Sequence, residues 1–212
     1  ASNVDDINDG LNALLDAQSK SNDANNKNDA LSIDGDVKAI NDSAANLGNV
    51  FNEVKQSNQK DYSALSKDQL NDVNAKVSEL GKEITKVEKE NDKNTSHMSK
   101  SHVKLIDKHL KALSKAVKDF KGDNKKDVQD GLLAIGKQTA NFESTLNNYK
   151  GHSKKADKRI DSFVSRISNA TSSIDDAFYG AISENNTAKS DNDKQNQTKI
   201  TNALNDLSQK LT

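Results

Sequence analysis

Apolar residues in this chain return at alternating intervals of three and four, segment after segment, and no proline interrupts them. The pattern is plainest around the midpoint, from Ser101 to Gly122, where Val103, Ile106, Leu110, Leu113, Val117 and Phe120 follow one another at 3-4-3-4-3. An α-helix turns once every 3.6 residues, so this spacing lays all six side chains along one seam. A strand would scatter them over both faces. The same rhythm runs through Val37, Ile40, Ala44, Leu47, Phe51 and Val54, and again through Leu70, Val73, Val77, Leu80, Ile84 and Val87. Val128, Leu132, Ile135, Thr139, Phe142, Leu146 and Tyr149 carry a further seam, and Ile160, Phe163, Ile167, Ala170, Ile174 and Phe178 the next. Shorter versions open the chain at Val4, Ile7, Leu11 and Leu14 and close it at Ile200, Leu204, Leu207 and Leu211. Six or seven helices with heptad-type seams follow. The expected class is all-α, as elongated antiparallel helical bundles with coiled-coil-like packing.

Without proline the helices are free to run long, and Gly, Asn, Asp and Ser must build the turns. Five Phe, three Tyr and no Trp supply little area for burial, so slender helices joined along narrow seams are expected rather than a wide core. The first helix should fade after Ala17 into a polar stretch from Ser19 to Asp29. Ser66 and Gln69 have the spacing of a capping box that starts a helix. Val87 and Val103 are sixteen residues apart, two heptads plus two, so an unbroken helix would turn its two seams to different sides. A turn near Asn91 to Ser96 removes that conflict. Gly122 reads as the C-cap of the central helix, Asp123 as the N-cap of its successor, and Gly151 as the end of that one. A helix from Lys154 to about Ser183 should then meet a polar connector, Ser183 to Gln197, before the final helix. Residues 1–212 thus read as a single all-helical region. A short match between Asn8–Asp16 and Gln129–Lys137 suggests, within it, two three-helix units, about 1–94 and 124–212, flanking a central helix 97–121.

Chemistry-bearing motifs are scarce. The chain has no cysteine, which removes disulfides, thiolate catalysis and cysteine zinc sites together. His97, His102, His109 and His152 do not reproduce the i,i+4 pair of a helical metal site, and His109 flanks a seam it would shield. The runs Asp5–Gly10 and Asp191–Asp193 lack calcium-loop spacing: Ile7 stands where an oxygen ligand is needed, and the second has no glycine. No glycine-rich phosphate loop or nucleophile motif occurs, and no aromatic set for base stacking. No catalytic residue, metal ligand or cofactor is assigned, and the chain is expected not to be an enzyme. Nor is any apolar run long enough to span a membrane.

One candidate surface stands out. Opposite the central seam, Lys104, Lys108, Lys111, Lys115 and Lys118 form a second stripe at spacings of four and three. Nine Lys face three Asp between Ser99 and Lys126, whereas the preceding helix mixes Glu79, Glu83 and Glu90 with Lys82, Lys86 and Lys89 at i,i+3 and i,i+4, so the central helix is expected to make almost no such pairs. An exterior helix face is often charged in this way simply to be solvated. As a binding surface it would take an anionic partner: a protein, a cell-wall or polysaccharide polymer, or a lipid surface, with nucleic acid the weakest fit. The first 36 residues hold eight Asp against two Lys, and an acidic first helix could neutralise the stripe from within. The expectation is a helical interaction or spacer module of adhesion type. Heavy Asn, Asp, Lys and Ser usage suggests a low-GC bacterium, and the expected place is outside or on the surface of its cell, with the cytoplasm left open; the Ala1 start fits a processed end and an arbitrary cut equally. Two alternatives are a lipid-associating amphipathic bundle and a helical subunit of a larger assembly or pore; the second would normally carry a markedly apolar helix.

Overall fold

The computed structural model describes residues 2–25 and 33–212, and side chains from Ile7 to Lys20 and from Asp34 onward. Among the described residues there are six α-helices and no strand: α1 (Ser2–Asn25), α2 (Ile33–Asn58), α3 (Lys67–Asp92), α4 (Lys100–Asp119), α5 (Lys125–Asn147) and α6 (Lys154–Leu211). A short 3₁₀ turn, Lys93–Ser96, joins α3 to α4 where the phase conflict of the two seams requires one. Two compact units result, residues 63–185 forming one and residues 1–62 with 186–212 the other. Their limits differ from 94 and 124, and α4 is a full member of the first unit.

That first unit is a four-helix bundle of α3, α4, α5 and the first half of α6. Its core holds the seams read from the sequence: Val73, Val77, Leu80, Ile84 and Val87 from α3; Val103, Ile106, Leu110 and Leu113 from α4; Val128, Leu132, Ile135, Phe142 and Leu146 from α5; Ile160, Phe163, Ile167, Ile174 and Phe178 from α6. Cross-contacts fix the directions. Asn91 Nδ2 donates to the Val103 carbonyl near the start of α4, and Asn74 Nδ2 to the Gly122 carbonyl just past its end, so α3 and α4 run antiparallel. Arg166 joins Glu83 and Glu90 of α3, while Gln69 Nε2 donates to Asn185 Oδ1 at 2.8 Å, which makes α6 antiparallel to α3. One polar pair is sealed in the core: the Thr139 and Thr171 hydroxyls hydrogen-bond at 2.9 Å between α5 and α6. Thr171, rather than the expected Ala170, is the buried member of that turn of α6.

The second unit packs α1, α2 and the last part of α6. Ala44, Leu47, Phe51, Ala203 and Leu207 form its buried cluster, with Leu11, Leu15, Ile40, Val50 and Ile200 at its margin. Ser43 of α2 hydrogen-bonds Asp206, and Ser57 Oγ donates to Asn192 Oδ1, so α2 and α6 are antiparallel here as well.

Local expectations met mixed outcomes. Ser66 and Gln69 form the full reciprocal capping box. α1 continues through Ser19 to Asn25, and residues 26–29 of the expected polar stretch lie outside the described residues. The connector from Ser183 to Gln197 is helix throughout. Its asparagines occupy the seam: Asn185 accepts from Gln69, Asn192 from Ser57, and buried Asn196 donates to Ser57 and Asn58. Polar residues with partners keep the helix going where an apolar pattern lapses, and nothing between Gly180 and Thr212 breaks it. That continuity also fixes the phase of the end, where Ala203 and Leu207 are buried while Leu204 and Leu211 point outward. Gly122 is no C-cap. α4 ends at Asp119 with Phe120 in extended conformation, and the Asn74 side-chain amide lies where a Cβ on Gly122 would stand. The N-cap of α5 is Asn124, whose side chain accepts the Asp127 N–H at 2.9 Å. Gly151 does not end α5 either: the helix stops at Asn147 with Asn148 as its cap, and Gly151, at φ 103°, makes the turn into α6 and donates its N–H to the Asp157 carboxylate at 2.9 Å.

Candidate functional site: the lysine face of α4

Ser99 starts α4 by accepting the His102 N–H at 3.3 Å. The helix then buries Val103, Ile106, Leu110 and Leu113, with Val117 and Phe120 partly covered, and all five stripe lysines are exposed on the other side. Leu105, 41% exposed, lies on that outer side too. Sequence reasoning expected almost no charge pairing along this helix, and two pairs form. Lys111 Nζ meets Asp107 at 2.9 Å and Lys115 Nζ meets Asp119 at 2.6 Å, both at i,i+4. The Asp107 hydrogen bond raises the Lys111 ammonium above its ordinary pKa, aided by the charges of Asp107, Glu88 and Asp92. Glu88 itself is shifted upward by burial and by Asp107 nearby. Lys104, Lys108 and Lys118 have no ion pair among the described residues. Such exposed pairs are screened by water and hold their side chains loosely, so an external anion can compete for the paired lysines as well as for the unpaired ones.

Towards its C-terminus the lysine face borders a groove between α4 and α5. Its floor is small and apolar, with Ala112, Ala116, Gly131 and Ala134, and Lys115, Lys121 and Lys137 stand around it with Asp119, Asp127 and Asp130. Gly131 leaves room there for the Phe120 ring, which a Cβ would overlap.

The histidines assemble in a way their chain spacing does not reveal. His102 stacks on Tyr149 with ring centroids 4.4 Å apart, and His152 tilts against His102 at 5.4 Å. His97 lines the same shallow cleft together with Ser96 and Ser99. Fifty residues separate His102 from His152, and only antiparallel packing of α4 on α5 brings them together. Among the described residues no group of three His, Cys, Asp or Glu is placed to hold a metal ion. Asp191 and Asp193 sit on a helix turn of α6, exposed, which is not a calcium loop; Asp5 and Asp6 lie outside the described side chains. No described helix is long and apolar enough to cross a membrane.

Compared with known proteins, the chain matches no family model, and no curated protein or solved structure is similar to it.

Proposed function

We propose that this chain is a non-enzymatic helical binding module that meets an anionic partner through the lysine face of α4, at or outside a cell surface. One observation carries the reading: five ammonium groups are exposed along one side of a helix whose other side is locked in a bundle core, and three of them make no direct ion pair among the described residues, Glu88 acting on Lys118 only through its field. A rigid row of cations gathers an anion by summed field rather than by shape. The clefts around it are shallow and open, which suits a surface that docks rather than a pocket that turns over a substrate.

The test replaces Lys104, Lys108, Lys111, Lys115 and Lys118 with Gln. Gln and Lys have similar helix propensity, so helicity should hold. Binding to vesicles of anionic lipid or to a phosphate-rich wall polymer should fall, and wild-type binding should weaken as ionic strength rises from about 0.01 M to about 0.15 M. Unchanged binding after substitution would remove the proposal. If the acidic N-terminus masks the face, deleting residues 1–20 should strengthen binding instead. A lipid surface is the partner favoured by a second observation. Leu133 and Tyr179, 69% and 62% exposed, line one groove between α5 and α6 and offer apolar groups for insertion.

A further inference from the structure

α3 and α5 begin at one end of the four-helix unit, α4 and α6 at the other. α3, α5 and α6 each have an aspartate in the first turn, Asp68, Asp127 and Asp157, which complements the partial positive charge of a helix start. α4 has none, and its first turn carries Lys100. Beside it α6 opens on Lys154 and Lys155, and its Asp157 is taken up by the Gly151 N–H.

Two adjoining clefts lie at this end. In the larger, of about 540 Å³, Lys155, Lys158 and Arg159 from one face of α6 stand opposite His97. These three cations have no ion pair among the described residues, although Arg159 is half-buried. Two turns further along, Arg166 lines the same cleft and is already paired, with Glu83 and Glu90. Glu90 is the one carboxylate at the cleft, and Arg166 already holds it. The second cleft shares His97 and adds His102 and His152, with the Ser96 and Ser99 hydroxyls and no acid.

We propose that this end of the bundle is a binding site for a polyvalent phosphate group, gripped by Lys155, Lys158 and Arg159 and flanked by His97, His102 and His152. Lys155 and Arg159 lie one turn apart, about 6 Å along the axis, so they can hold successive phosphates or two oxygens of a clustered headgroup. The guanidinium supplies a planar two-pronged contact and the lysines supply point charge. The groups facing His97 are Glu90 from α3 and Lys155, Lys158, Arg159 and Arg166 from α6; those facing His102 are Tyr149 from α5 and His152 from the α5–α6 turn. The site shares no residue with the lysine face, so the two readings stand or fall separately.

The test titrates the full chain with inorganic tripolyphosphate at low ionic strength, following the imidazole resonances and the binding heat. In parallel, vesicles of phosphatidylglycerol in phosphatidylcholine are sedimented with the protein. The variants are the triple Lys155→Gln, Lys158→Gln, Arg159→Gln and the five-lysine variant of α4. Saturable shifts at His97, His102 and His152 are expected on adding tripolyphosphate, with tripolyphosphate affinity reduced about tenfold or more in the triple variant and within about twofold of wild type in the α4 variant. Tripolyphosphate binding assigns a soluble polyphosphate as the source. Vesicle binding without tripolyphosphate binding, kept by the α4 variant and lost when the triple change is added to it, assigns a lipid headgroup. The proposal is overturned if neither tripolyphosphate binds the wild type nor vesicles bind the α4 variant, or if that binding survives the triple change. The wild-type resonances decide by themselves should that variant fail to fold, since an unmoved set of imidazoles at saturation also overturns it.

Discussion

The Thr139–Thr171 pair offers a sharp test of how this core is held. Both residues are 7% exposed, and their hydroxyls bond only across the α5–α6 contact at 2.9 Å. One hydroxyl donates to the other, and the second can still donate to a carbonyl one turn back in its own helix. Thr139→Val therefore deprives Thr171 of its partner without stranding it completely, and the cost sits at the lower end of the usual range for an orphaned buried group, about 1 to 1.5 kcal/mol. Thr171→Val should cost the same. The double variant removes both hydroxyls and leaves two methyl-bearing side chains of nearly the same shape, so it should return to wild-type stability or exceed it. The coupling between the two sites is then about 2 to 3 kcal/mol, read from urea denaturation of the four variants. Additive losses, with the double variant the least stable, would refute the reasoning and show that the hydroxyls act through other partners.

Three further outcomes follow from contacts described above. Gly131→Ala should destabilise by about 1 kcal/mol, as the clash with the Phe120 ring outweighs the gain in helix propensity, whereas Gly136→Ala, with nothing within 4 Å, should stabilise by up to about 1 kcal/mol; thermal melts of both decide it. Burial, and then Asp176 beside it, hold the Asp175 carboxyl above the usual carboxylate range. The folded chain therefore takes up that proton before the unfolded chain does, so stability gains as pH falls through the interval, and Asp175→Asn should melt no lower than wild type at neutral pH and lose that gain on acidification. Val77→Asp puts an unpaired charge into the α3 seam and should cost several kcal/mol, seen as loss of the cooperative transition by circular dichroism; an unchanged melt would mean that the seam faces elsewhere.

The seams of α2, α3, α4 and α5 were legible because apolar periodicity and burial are the same fact seen twice, and the Ser66–Gln69 box because capping is local chemistry. What escaped the sequence depends on partners far along the chain. Asn185, Asn192 and Asn196 look like loop residues until Gln69, Ser57 and Asn58 are placed against them. Gly122 looks like a helix stop until Asn74 is seen filling the space beside it. The lysine stripe could be read from α4 alone, but the basic end could not, since it gathers Lys100 and His102 with His152, Lys155 and Arg159 from two stretches about fifty residues apart. Pairing along α4 was misjudged because charge counts do not say which aspartates reach back one turn.

The shared helix α6 also dictates an order of events when the chain is made. The smaller unit takes α1 and α2 from the beginning of the chain and the last turns of α6 from its end; Ser43 and its partner Asp206 are 163 residues apart. The four-helix unit lies wholly between them. During synthesis α1 and α2 emerge first with half a core, and Ala44, Leu47 and Phe51 must wait until Ala203 and Leu207 arrive. By then α3 to α6 have everything they need to close, which makes the interior unit the early folder and the terminal one a late, long-range event. A chain cut after Asn185 should keep the first and forfeit the second.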